Sequence, residues 1–180
     1  MKQLMITVKP EYLVDILNGN KTLELRTYIP KDFKGWVNVC CSKEKPYLHY
    51  RPTENCTAHY VLWDKPSNEH TLLNSKVVCR FWFDEYSRLQ YEYYIDDYIY
   101  GNMQLYEMQT FISNLSLNYE QIYNYGKGKD LYAWHIKQLE IFDEPKELGE
   151  FQNYYRKEKI DYEPLTHAPQ KYAYVWGKEE

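Results

Sequence analysis

Residues Thr22 to Thr27 alternate strictly, with Leu23 and Leu25 on one side of an extended chain and Thr22, Glu24 and Arg26 on the other. A period of two fixes a strand with one apolar and one polar face, and the neighbouring segments fall into place around it. Gln3 to Lys9 reads as a preceding strand with Ile6 and Val8 on one face. Pro10 then sits in the first turn of a short helix whose Tyr12, Leu13, Ile16 and Leu17 recur at helical spacing, and Asn18-Gly19 stops it. After a turn at Pro30 to Gly35, Trp36 to Cys41 is a third strand. Lys76 to Asp84, Leu131 to Phe142 and Tyr172 to Trp176 are further apolar strands. Ser116 is the expected N-cap of a helix with Glu120 in its first turn and an end at Tyr125-Gly126, and Pro145 opens a helical turn through Leu148. Tyr86 to Tyr100 fits a strand or a helix. Residues 43–75 mix Pro, Asn, Lys and isolated aromatics without a period, which predicts a long insertion with a hairpin around Ala58 to Leu62.

Short strands separated by single short helices, with apolar runs near both ends, predict an α+β fold: a small mixed sheet that curls into a barrel, closed by the terminal strand, with short peripheral helices. The chain's 180 residues suit one domain. The net charge of −4 excludes a protein that grips long duplexes through a broad basic face. Among 180 residues 21 are tyrosine, a side chain that packs a core edge, stacks on a base or covers a partner. MKQLMITVKP carries no long apolar core before a small-residue cleavage site, and no apolar run is long enough to span a bilayer, so the expectation is the cytoplasm. Cys40, Cys41, Cys56 and Cys79 contain no pair at zinc-ligand spacing; reduced thiols, no metal and no cofactor are expected, with at least one of Cys40 and Cys41 in the core.

The segment NGNKTLELRT, Asn18 to Thr27, places a lysine at a turn and three polar side chains on one rigid strand face. By itself the pattern also fits an ordinary exposed strand with a Glu/Arg pair of small value. Gly19, Lys21, Glu24 and Arg26 reproduce the G-x-K-x-x-E-x-R signature of the ASCH (activating signal cointegrator homology) domain. The chain also resembles ASCH-domain proteins of phages and prophages of Gram-positive bacteria at ITVKPEYLVDIL, WVNVCCSK, YGKGKDLYAWHIKQLEIFDEPKELGEF and APQKYAYV, leaving 45–75 and 84–112 outside the match.

That resemblance implies a PUA-like barrel and a cleft facing RNA or a nucleotide, with Lys21, Thr22, Glu24 and Arg26 as its ligand-binding residues and Ser42 and Lys43, at the end of the third strand, beside it. Lys21 and Arg26 suit a phosphate or a base edge, and Glu24 an exocyclic amine. Small ASCH amidohydrolases acting on acetylated cytidine resemble this chain at DIL-x-G-x-KT. They use the lysine, a threonine three residues later and a distant glutamate. Here Glu24 stands at that position and the nearest threonine is Thr22, so a nucleophile would come from elsewhere; in an enzyme, Lys21 and Glu24 are the catalytic candidates. Hydrolysis of a modified nucleoside or of RNA is the alternative function, and a protein-interaction or decoy role a third. Trp134 reads as a core anchor, while His135 suits a proton carrier, a stacking residue or a structural role. Arg156, Lys157 and Lys159, interrupted by Glu158 and Asp161, read as a solvated face.

Overall fold

The computed structural model describes residues 1–53, 56–101, 103–154 and 163–176; the Arg156 to Asp161 run lies outside them. In chain order the elements are β1 (Lys2–Val8), α1 (Pro10–Leu17), β2 (Leu23–Arg26), β3 (Gly35–Cys41), β4 (Tyr47–Thr53), β5 (Cys56–Trp63), β6 (Thr71–Leu72) and β7 (Val77–Phe83). Then follow β8 (Tyr86–Glu92), β9 (Asp97–Ile99), α2 (Leu105–Leu115), α3 (Tyr119–Gly126), β10 (Leu131–His135), β11 (Lys137–Lys146), a 3-10 turn at Leu148–Glu150, β12 (Gln152–Asn153) and β13 (Ala173–Trp176). The fold is α+β and mostly sheet. No helix among the described residues is long and apolar enough to cross a membrane.

The chain divides into two compact units. One comprises Met1–Asn18, Gly35–Trp82 and Gln138–Glu180. Pro10 at the start of α1 and the buried Leu13, Ile16 and Leu17 at helical spacing follow the sequence pattern, and Gly19, at φ 76°, supplies the left-handed residue that follows the helix's end. A six-stranded sheet runs β11-β7-β3-β1-β13-β12, with β1 parallel to β3 and antiparallel to β13. Nearly every residue of β3 is buried, as in a strand covered on both faces. Cys40 and Cys41 therefore both lie in the core, although they point to opposite sides, and burial pushes the Cys40 thiol up to about 12. Residues 47–72 form a separate three-stranded sheet, β5-β4-β6, built on the antiparallel β4/β5 pair.

The expected barrel is not formed among the described residues. The terminal strand does pair with β1, yet the sheet ends openly at β11 and at β12, which is two residues long. Closure needs tilted, staggered strands of sufficient length on both edges, and β12 is too short to provide one.

The other unit comprises Gly19–Lys34 and Phe83–Lys137. Its sheet runs β2-β10-β8-β9, antiparallel throughout. Leu23, Leu25, Leu89, Leu131 and Ala133 form its apolar face and pack with Phe111, Leu115 and Ile122 of α2 and α3. The ambiguous Tyr86 to Tyr100 stretch is a hairpin, β8 and β9. Ser116 is not the N-cap of α3: it ends α2 in the left-handed conformation at φ 50°, and Asn118 caps α3 by accepting from the Gln121 amide. Leu131 to Phe142 is interrupted after His135, where the Ile136 amide turns to the Thr22 carbonyl; β10 and β11 belong to different sheets. Pro145 continues β11 instead of opening a helical turn.

Candidate functional site

Lys21, Glu24 and Arg26 form one cluster at β2. Strand alternation puts Glu24 and Arg26 on the face opposite Leu23 and Leu25, in register with Trp134 and Tyr132 of β10. Arg26 Nη2 lies 2.9 Å from Glu24 Oε1, and Lys21 Nζ lies 3.5 Å from Glu24 Oε2. Lys21 Nζ also donates to the Leu115 carbonyl at 2.7 Å. Leu115 ends α2, so the ammonium satisfies one of the carbonyls that a helix leaves without an internal partner, at the negative end of its dipole. The three side chains are 2%, 8% and 8% exposed. The pattern on β2 is therefore not an ordinary solvated strand face.

Two tyrosines, Tyr28 and Tyr125, act on Arg26. Burial pulls the guanidinium's pKa down, but Glu24, Tyr28 and Tyr125 push it up, and the sum lies above its ordinary value. Burial holds the Tyr28 and Tyr125 phenols above theirs, against the pull of Arg26, so both are neutral. Tyr28 is itself placed by Trp134, whose indole Nε1 donates to the Tyr28 carbonyl at 3.2 Å and whose ring meets the Tyr28 ring edge-on at 6.1 Å. Trp134 is fully buried, as its role of core anchor requires. Two basic side chains and one carboxylate are thus gathered beside two neutral phenols, largely away from water.

Thr22 is exposed, and its backbone tethers the segment through the Asn114 carbonyl and the Ile136 amide. Ser42 and Lys43 follow β3 in the other unit. Lys43 is exposed, and the Ser42 hydroxyl is buried without a hydrogen-bond partner among the described residues. His135, half-buried, has partners that the sequence did not disclose: Ser87 Oγ lies 2.9 Å from its Nε2, and Glu85 Oε2 lies 4.0 Å from its Nδ1. Lys137 Nζ holds the Glu85 carboxylate at 2.8 Å and Asp84 at 2.8 Å. Ser87 and Tyr125 were the missed neighbours; the period of two in Ser87, Leu89 and Tyr91 was the signal for β8, whereas nothing in the sequence brings Tyr125 to Arg26. Among the described residues no group of three His, Cys, Asp or Glu side chains is arranged to hold a metal ion.

No protein-family model matches the chain, and no curated protein matches it at a significant level. Solved structures do. The crystal structure of ASCH from Zymomonas mobilis superposes with a TM-score of 0.51 at 14% identity, covering 97% of this chain and 87% of that one. A serine-to-alanine variant of the same protein gives 0.50 at 14% identity, covering 97% and 88%. By fold, then, the chain is similar to the Zymomonas mobilis ASCH protein along almost its whole length.

Proposed function

We propose that the chain is an ASCH-type, PUA-like protein of phage type that binds RNA or a nucleotide, with Lys21, Glu24 and Arg26 at the centre of its site and Thr22 as an accessory contact. The observation that carries this reading is the buried Lys21–Glu24–Arg26 cluster, in which two basic side chains meet one carboxylate. A buried charge is screened far less than a surface lysine, so it favours an anionic group at the adjoining surface. The shared carboxylate supplies an acceptor for an amino-bearing base. The similarity of fold to the Zymomonas mobilis ASCH protein supports the family resemblance from which this reading starts.

Calorimetric titration of the purified protein with cytidine, uridine, their monophosphates and a short RNA tests the reading. Binding of at least one of them is expected. Lys21→Ala should weaken the phosphorylated ligands selectively, and Arg26→Ala should weaken both kinds, because Arg26 orients Glu24. Equal affinities for all ligands in both variants would mean that the segment supports the fold and reads nothing.

A second reading, hydrolysis of a modified nucleoside or of RNA, is favoured by the Ser87–His135 contact, the arrangement in which a base activates a serine nucleophile; in register with Ala133 and Leu23, the pair lies on the sheet face opposite Glu24 and Arg26 and would be a site of its own. The carboxylate that would orient the imidazole stands at 4.0 Å and is engaged by Lys137. Product analysis of each ligand, with Ser87→Ala alongside, separates the two readings: unaltered ligand leaves binding alone, and turnover lost in Ser87→Ala establishes the hydrolase.

A further inference from the structure

The polar face of the β2-β10-β8 sheet carries two rows of side chains in register. Arg26 pairs with Tyr132, which pairs with Arg88; Glu24 pairs with Trp134, which pairs with Tyr86. Because side chains alternate along each strand, all six project from one face, opposite the apolar face of Leu23, Leu25, Leu89 and Ala133. The face runs from buried at β2 to open at β8: the Arg26 side chain is 8% exposed, Tyr132 is half-buried, Tyr86 is 44% exposed and the Arg88 side chain is 54% exposed. The Tyr86 and Tyr132 rings meet edge-on, 5.6 Å apart and inclined by 77°. At its outer rim Arg88 is fixed by Asp130, with Nε donating to Oδ2 at 3.0 Å.

The half-buried Tyr132 ring between Arg26 and Arg88, with the exposed Tyr86 ring against it, matches the chemistry of an unpaired nucleic-acid strand. Aromatic faces accept bases of any sequence, and cations track the backbone. Strands lie about 4.8 Å apart, so Arg26 and Arg88, two strands apart, stand roughly 10 Å from each other in the sheet. One phosphate does not span that distance. The occupant has more than one nucleotide.

We propose that Tyr86, Tyr132 and Arg88 form a stacking platform for single-stranded RNA that leads from the exposed Tyr86 and Arg88 of β8 toward Arg26. The proposal rests on the reading of the Lys21–Glu24–Arg26 cluster as a site for RNA or nucleotides and names its substrate as an unpaired oligonucleotide. A base pair in a duplex keeps its faces covered, so the platform discriminates against double-stranded RNA.

The test is fluorescence anisotropy with a fluorescein-labelled twelve-nucleotide oligo(U) or oligo(A) RNA at low salt, with the annealed duplex for comparison. The wild-type chain binds the single strands more tightly than the duplex. Tyr86→Ala and Tyr132→Ala each weaken single-strand binding by about 5- to 150-fold, whereas Tyr86→Phe, which keeps the ring, binds as the wild type does. Arg88→Ala, at an exposed side chain whose removal leaves the core intact, weakens binding and flattens its salt dependence. If the wild type binds and the tyrosine variants bind equally well, the platform is overturned while the cluster's reading stands. Loss in the tyrosine variants with normal binding by Lys21→Ala and Arg26→Ala keeps the platform and overturns the cluster. A wild-type chain that binds no single strand overturns both.

Discussion

At the scale of the residue, the unusual feature is a carboxylate shared by two cations out of reach of water. Taking three charges out of water is costly, and their mutual attraction offsets the cost only while all three are present. Glu24→Gln should therefore lower stability by about 3–5 kcal/mol, read as a fall in the urea midpoint, because it leaves Lys21 and Arg26 facing each other uncompensated. The simultaneous change Lys21→Met, Glu24→Leu and Arg26→Met removes the whole cluster and should cost much less. If the single variant is as stable as the wild type, the charges are solvated and the buried-cluster description is wrong. Part of this was legible in the sequence. Alternation assigned Leu23 and Leu25 to the core and Glu24 and Arg26 to one opposite face, since both follow from strand geometry alone. The burial of that face, and the bond from Lys21 to the end of α2, depend on residues about ninety positions away and have no local signature.

At the scale of the element, two packing details decide the outcome of substitutions. Gly126 ends α3, and a β-carbon there would lie 1.5 Å from the Tyr98 hydroxyl, which donates to the Lys129 carbonyl at 3.0 Å. Alanine ordinarily gains up to about 1 kcal/mol over glycine in a helix, but overpacking costs about 1–3 kcal/mol, so Gly126→Ala should be destabilising on balance. A chemical-denaturation midpoint equal to or above that of the wild type would show that the Tyr98 ring moves aside freely.

His49, on β4, is fully buried; its Nε2 accepts from the Ser67 amide at 3.1 Å and its Nδ1 lies 3.2 Å from the Tyr47 carbonyl. Burial, helped by His70 and opposed by the Tyr47 carbonyl, holds its pKa below the ordinary 6.5. The unfolded chain thus takes up the proton first. Stability contributed by neutral His49 is complete above pH 6.5 and falls as the pH drops through the lower folded value. Melting at pH 7.5 and pH 5 should show a larger loss for the wild type than for His49→Gln; equal losses would assign the acid sensitivity elsewhere.

At the scale of the whole molecule, a net charge of −4 confines favourable contact with an anionic strand to local patches. With two or three cations engaged, the logarithm of the RNA association constant should fall against the logarithm of salt with a slope of roughly −1 to −2. A slope steeper than about −4 would require a broad basic surface. The sequence led to α+β and to strands near both ends because those runs have a clear period. It misled on closure, since nothing in Tyr172 to Trp176 or in Gln152 and Asn153 shows that the last edge is only two residues long. It also hid α2, whose segment lies outside the matched motifs and whose N-cap, Gln104, is a weak signal beside Ser or Asp.

The pairing of β2 has a consequence for synthesis on the ribosome. Leu23 to Arg26 pair with Tyr132 to His135, and Lys21 bonds to Leu115, so the segment emerges about a hundred residues before its partners. A nascent chain halted near residue 100 holds a finished signature sequence with no strand to join and no helix end to cap. Its backbone edge is then unpaired and its apolar face, Leu23 and Leu25, uncovered, which leaves it open to association with other chains. The cluster that carries the charge is assembled late in translation, after β10 has left the exit tunnel.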